Sequence, residues 1–253
     1  MRHFGGPSAL FYSSEVQQPS ERPRAGVVRV NYSFHFREVF DLYLRVRLHF
    51  AFERICFDLG QSRIDPGLPI LLVSNHVSWW DGFFISETQR RLLPLVPHYT
   101  VMLERELRKY PWLKRLGAIG IDPERPTSVA ETFLSLRTVR RSTSCFSVAL
   151  FPQGQITPQQ FRPLGFKKGM EALIRNLHPI QLIPVALHIE PLANPRPTAF
   201  IRSGQVIRSD SQQISAELLE DAIQVLLEQT CIQEPLRRLG LVKESEVRAE
   251  WSR

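Results

Sequence analysis

His76 and Asp81 stand five positions apart, directly after the apolar run Leu71-Leu72-Val73-Ser74. An imidazole and a carboxylate can act together as a general base. The carboxylate holds one ring nitrogen, and the other is free to take a proton from a substrate. An unperturbed imidazole pKa of about 6.5 suits that task. The spacing restricts how the two meet. On a regular helix five residues turn through about 500°, which points the side chains roughly 140° apart. They converge only if His76 precedes the helix. Ser78-Trp79-Trp80-Asp81 offers such a start, a capping box with Ser78 as N-cap and Asp81 at the third helical position. His76 is then expected on a strand-to-helix turn, with Asp81 reaching back to it. Read alone, the same residues also fit a turn in which Asp81 only caps.

The elements that must position this pair follow from the hydrophobic pattern. Leu71–Val73 reads as a buried strand, fed by the turn Asp65-Pro66-Gly67-Leu68-Pro69. Phe146–Phe151 is a second buried strand, ending at once in Pro152-Gln153-Gly154-Gln155; Leu182–Ile189 is a third and contains Ile183-Pro184-Val185. Short strands are expected at 99–103 and 117–122, and edge strands at 198–203 and 205–207. Helices are expected at 83–93, 104–116 with a break at Pro111, 127–141, 166–177 and 214–228. From Phe34 to Leu59 the pattern is also helical, with Phe40, Leu44, Leu48, Phe52 and Ile55 on one broad face and arginines interspersed. Such a helix suits either a membrane interface or an ordinary place on the core. Strands alternating with helices predict an α/β domain with a mixed, largely parallel sheet flanked by helices.

The organisation expected is a loosely attached tail over residues 1–33 and one domain over 34–233. That domain divides into an amphipathic membrane-interface helix at 34–62 and a catalytic α/β core at 63–233. A charged tail follows at 234–253. The formal net charge of +7 and pI near 9.7 favour anionic partners, a membrane surface among them. Basic residues are scattered among apolar helices rather than gathered with aromatics, so no nucleic-acid partner is expected. No run of 18 apolar residues is present to span a bilayer. Cys56, Cys145 and Cys231 have no motif spacing, and the histidines show no ligand spacing, so no metal is expected. Serine-elbow, Walker A and dinucleotide glycine motifs are absent.

Taken in order, Asn75-His76…Asp81, Glu106-Leu107…Gly117-Ala118-Ile119-Gly120-Ile121-Asp122, Phe151-Pro152-Gln153-Gly154 and Ile183-Pro184-Val185 resemble the four motifs of the glycerolipid acyltransferase family. Its best-known members acylate 1-acylglycerol-3-phosphate. Phe166-Lys167-Lys168-Gly169 extends the likeness, which covers about residues 34–189. The resemblance implies that His76, held by Asp81, deprotonates an acceptor hydroxyl, which attacks the thioester of acyl-CoA or an acyl carrier protein. No bound cofactor is implied. Asn75, Glu104, Arg105, Arg125, Phe151, Pro152, Gln153, Gly154, Gln155 and Pro184 fall at substrate-binding positions. Backbone N–H groups near Gly154 are the expected oxyanion donors, and Trp79, Trp80, Phe83 and Phe84 the expected acyl-groove walls. The implied setting is the cytoplasmic side of a membrane, with a lipid alcohol as acceptor.

Departures from the family pattern bear on that acceptor. The family's Phe-Pro-Glu-Gly-Thr-Arg is here Phe151-Pro152-Gln153-Gly154-Gln155-Ile156. A family Lys is replaced by Glu104, and the Arg expected after Ile121-Asp122 is displaced to Arg125. The family associates the Lys and Arg with gripping the acceptor's phosphate. Their loss points to a neutral lipid alcohol or glycolipid, with Arg105, Lys109, Arg162 and Lys167 as the cations that could restore the grip.

Overall fold

The computed structural model describes residues 32–60, 63–143, 145–210 and 213–238. The expected N-terminal tail and most of the C-terminal one lie outside them. Eight strands form one sheet in the order β1-β7-β6-β2-β5-β3-β4, with β8 beside β6. The strands are β1 (Arg54–Leu59), β2 (Ile70–Ser74), β3 (His98–Leu103), β4 (Ala118–Ile121), β5 (Ser147–Leu150), β6 (Gln181–Glu190), β7 (Thr198–Ser203) and β8 (Ile207–Arg208). From β6 to β4 the neighbours are parallel, while β7 and β8 run antiparallel to β6. The mixed, largely parallel sheet is as expected.

Successive β-strand side chains point to opposite faces, so the continuous apolar run of β2 serves two cores. Leu71 and Val73 join a cluster with Leu136, Leu173, Ile174, Leu219 and Ile223. These come from α4 (Pro126–Ser142), α5 (Gly169–Leu177) and α6 (Ala216–Arg238). Ile70 and Leu72 join Leu44, Leu48, Phe52, Phe83 and Phe84 on the other face. These belong to, or adjoin, α1 (Phe34–Ala51) and α2 (Asp81–Leu92). A sheet covered on both faces needs strands apolar throughout, and all five β2 residues are fully buried.

The helix after β2 therefore covers one face and the helix after the neighbouring β5 covers the other. Two adjacent parallel strands whose connections diverge in this way leave a crevice beyond their C-terminal ends. That is where open α/β sheets bind ligands. His76 follows β2 and Phe151–Gly154 follows β5, so both open onto it.

Three expectations are corrected. The first helix ends at Ala51, not near 59 or 62. Phe52 turns extended (φ −124°, ψ 145°), and residues 54–59 form β1, paired in parallel with β7. Its Ile55, Phe57 and Leu59 alternate with Cys56 and Asp58, which is strand periodicity. Residues 198–203 are not an edge strand, because β7 lies between β1 and β6 and is buried along its length. The boundary set at residue 233 falls inside α6.

Candidate active site

Asp81 is the pivot of the site. Its side chain is fully buried, and Oδ2 accepts from His76 Nδ1 at 2.8 Å, from the Val77 N–H at 2.6 Å and from the Ser78 N–H at 2.8 Å. One carboxylate oxygen thus fixes both the turn and the ring. Asp81 opens α2 and so sits where the helix dipole favours negative charge. Its Oδ1 is buried and has no hydrogen-bond partner among the described residues. The capping box forms only in part. The helix starts at Asp81 rather than after Ser78, and Ser78 Oγ accepts from the Trp80 N–H at 2.9 Å. The reciprocal half, Asp81 back to the Ser78 N–H, is present.

The His76 ring lies flat on Phe151, with centroids 4.4 Å apart and planes at 25°. Its side chain keeps 22 % exposure, so the ring sits at an opening rather than in the core. An ionised carboxylate only accepts, so Nδ1 donates to Asp81 and Nε2 is left as the basic nitrogen. The backbone of His76 is gripped on both sides by the segment after β5. Gln153 Oε1 accepts the His76 N–H, and the Thr157 N–H donates to the His76 carbonyl at 2.9 Å. Gln153 Nε2 in turn donates to Thr157 Oγ1. Buried Gln153 is therefore a brace under His76 rather than a substrate contact. Thr157 was not anticipated, and no motif spacing signals it.

Several expected substrate contacts face elsewhere. Asn75 is buried, and its side chain donates to the Leu187 carbonyl and accepts the Leu187 N–H, both at 2.8 Å. It staples the end of β2 to β6. Pro184 lacks a donor where β6 changes partner from β7 to β8; its carbonyl accepts the Gly204 N–H at 2.8 Å. The Gly154 N–H donates to the Phe151 carbonyl at 3.0 Å, so it is not free for an oxyanion. Pro152 is buried, its carbonyl accepting the Lys167 N–H at 3.1 Å, while Gln155 is exposed on the loop. Phe84 is core at 1 % exposure, whereas Trp79 is half exposed and packs on Trp80, Phe83 and Tyr110.

The cations sort themselves by partner. Glu104 pairs with Arg108 at 2.6 Å and Arg125 at 3.7 Å, and Arg125 also meets Asp122 at 3.5 Å. The hydrogen bond from Arg108 holds the Glu104 carboxyl below its usual range. Arg105 is exposed beside Glu106, Lys109 binds Glu106 at 3.0 Å, and Arg162 bonds carbonyls of its own loop. Lys167 has no acidic partner among the described residues, and its ammonium lies over Gly154 (φ +72°), 3.1 Å from where a Cβ would be. A second imidazole, His188, lies further along the same sheet edge but is bound to Glu190 at 2.9 Å. Burial lowers its pKa, and Glu190 opposes that.

A base–carboxylate pair at the switch point of a doubly covered sheet, partly open, can take a proton from a hydroxyl brought to it. Residues 58–188, about half of the chain, match the acyltransferase family model, and the chain belongs to that family. It is an acyltransferase. Its fold is similar to the crystal structure of the 1-acyl-sn-glycerophosphate (LPA) acyltransferase PlsC from Thermotoga maritima. The two share 14 % identity and a TM-score of 0.55, over 76 % of this chain and 78 % of that one. No curated protein sequence matches the chain.

Proposed function

We propose that the enzyme moves a fatty acyl group from acyl-CoA or an acyl carrier protein to the hydroxyl of a neutral lipid alcohol or glycolipid. His76 Nε2 takes the hydroxyl proton while Asp81 holds the imidazolium that forms. The oxygen attacks the thioester carbonyl, the C–S bond breaks, and the proton passes to the departing thiolate. A positioned base of this kind contributes roughly 10²–10⁴-fold.

The observation that carries the neutral acceptor is Glu104. It stands where the family's phosphate-gripping lysine is expected, and its carboxylate already engages Arg108 and Arg125. A phosphate arriving there would meet a negative charge and two occupied guanidiniums. Charge-assisted contacts are the strong ones, so their loss disfavours an anionic head group. Lys167 favours a second reading, lysophosphatidate, because its unpaired ammonium sits beside the site. Assays of the purified protein with lysophosphatidate and with glycosylated or simple lipid alcohols decide between them. Turnover of lysophosphatidate alone, lost in Lys167→Met, would reverse the assignment; turnover of the neutral acceptors, kept in Lys167→Met, supports it.

The amphipathic character of α1 supports a membrane surface as the setting of the reaction. The face with Leu44, Leu48 and Phe52, which the sequence left open between lipid and core, is packed on the core. A second stripe is exposed instead: Val39, Leu42, Tyr43, Val46 and Phe50, each more than half accessible. These five fall within about 100° of one another around the helix. Exposed Arg45, Arg47 and His49 flank them. An apolar stripe edged by basic residues suits a helix lying in the interface. No helix among the described residues is long and apolar enough to cross a membrane.

A further inference from the structure

Large apolar side chains stand exposed around the crevice as well as on α1. Trp79, in the turn between β2 and α2, is half exposed, and Ile156 and Phe161, in the segment between β5 and α5, are each more than half accessible. That segment crosses the ends of two strands. The Thr157 N–H donates to the His76 carbonyl at 2.9 Å, just beyond β2, and Gln159 Oε1 accepts the Ile189 N–H at 3.0 Å, on β6. The Phe161 N–H donates to the Pro158 carbonyl at 2.9 Å and closes a turn. Thr157 and Gln159 thus face the protein, while Ile156, Pro158 and Phe161 are exposed. The chemistry above uses the inward side of this segment and leaves its outward side without a task.

The charges beside it narrow what can cover that side. Residues 155–168 hold Arg162, Lys167 and Lys168 and no acidic residue. Arg162 donates to the Gln159 and Phe161 carbonyls at 2.7 and 2.8 Å, which keeps its guanidinium at the turn. The nearby carboxylates of α6 are engaged. Glu217 lies 3.9 Å from Lys168, and Glu220 accepts the Gly165 and Phe166 N–H groups. Exposed apolar side chains edged by cations fit a lipid surface. A chain of rings points to the same partner. Tyr43 of the exposed α1 stripe meets Phe40 at 5.8 Å, Phe40 meets Phe83 at 5.7 Å, and Phe83 meets Trp79 at 5.0 Å. Rings in contact therefore join the stripe to the rim of the crevice. We propose that the segment between β5 and α5 is a second lipid contact, separate from α1, whose Ile156 and Phe161 enter the bilayer interface beside the site. A lipid acceptor then reaches His76 from the surface itself. The inference rests on the reading that the acceptor is a lipid held in a membrane.

The test uses the full chain and vesicles of phosphatidylcholine with about one fifth phosphatidylglycerol. A lipid alcohol is presented either in those vesicles or as a soluble short-chain analogue. Phe161→Ser is expected to weaken vesicle sedimentation about fivefold, with Ile156→Ser acting likewise and Phe161→Leu keeping most of the binding. Phe161→Ser should lower turnover of the vesicle-borne acceptor by a similar factor and leave turnover of the soluble one unchanged. Leu95→Ser removes a still more exposed side chain from the turn before β3, at the opposite edge of the sheet, and should leave binding unchanged. Equal losses with soluble and vesicle-borne acceptor would make Phe161 a structural or substrate contact and overturn the proposal. So would an equal loss of binding in Leu95→Ser, or full binding by Phe161→Ser. Weakened binding of acyl carrier protein in place of vesicles would give the segment to the donor and overturn it as well. A parent that fails to sediment with vesicles contradicts it too. Failure of the parent to acylate any lipid alcohol sinks the proposed acceptor instead, and vesicle sedimentation still reads the segment.

Discussion

At the residue scale the site is a ring held from four directions. Asp81 accepts from Nδ1, Phe151 lies under the ring plane, Gln153 accepts the backbone N–H and the Thr157 N–H donates to the His76 carbonyl. Each contact has its own consequence. Asp81→Asn puts an amide where one oxygen accepts three N–H groups. It should reduce turnover nearly as far as loss of His76 does and cost about 2–3 kcal/mol of stability, read by denaturant titration. Thr157→Val leaves buried Gln153 Nε2 without its acceptor. It should lower kcat by about tenfold with little change in KM, since it alters the ring's seat and not the substrate's. Equal losses in kcat and KM would point to a substrate contact instead. The contact between His76 and Asp81 was legible because residue type, spacing and the preceding strand all agreed. Asn75, Gln153 and Pro184 were misread as substrate contacts for one reason. Sequence locates a residue at a strand end but not which way its side chain turns. All three turn into the protein.

At the element scale, α1 shows where periodicity misleads. Ile55 follows Phe52 by three and Leu48 by seven, so the apolar recurrence runs past the helix end without a Gly or Pro to mark it. Pairing with β7, which lies some 140 residues later, decides that 54–59 is a strand. Long-range pairing of this sort leaves no local signal. The same helix carries two apolar faces, and the sequence alone did not say which one the core would take. Arg37 helps settle it. Its guanidinium reaches Tyr32 Oη and Gln89 Oε1, both at 2.9 Å, tying α1 to α2. Phe52→Ala should therefore cost about 3–5 kcal/mol, as a buried aromatic that joins α1 to the sheet. Serine substitutions at Val39, Leu42 and Phe50 should leave the melting midpoint within a few degrees and change only lipid binding, checked by calorimetry beside vesicle sedimentation.

At the scale of the whole molecule, the order of strands and helices after β1 was readable because apolar runs alternate with helical periods. The sheet order was not, since nothing in sequence places β5 between β2 and β3. That order creates the crevice, so the site's location is a property of the fold rather than of any motif. Stability with pH is also a global property, and His98 shapes it. Buried at the start of β3 against Ser147, it has its pKa lowered to about 3 by desolvation, with Arg37 adding to the effect. The unfolded chain takes a proton there from about pH 6.5 downward, whereas the folded chain does so only near pH 3. Between those limits the unfolded state binds more protons, so stability falls as pH falls, by up to roughly 4–5 kcal/mol. His98→Gln should flatten that part of the acid-unfolding curve, measured by urea titration from pH 7 to 3. An unchanged slope would show that other groups carry it.

The claim on which the rest depends is that His76 strips a proton from a lipid hydroxyl beside a bound acyl thioester. It is met most directly by following ester formation from labelled acyl-CoA and a lipid alcohol with the purified enzyme and with a folded His76→Ala variant. The account predicts that the variant keeps its melting midpoint and loses about 10²–10⁴-fold in kcat/KM. Ester formation by the variant at the parent's rate would contradict it.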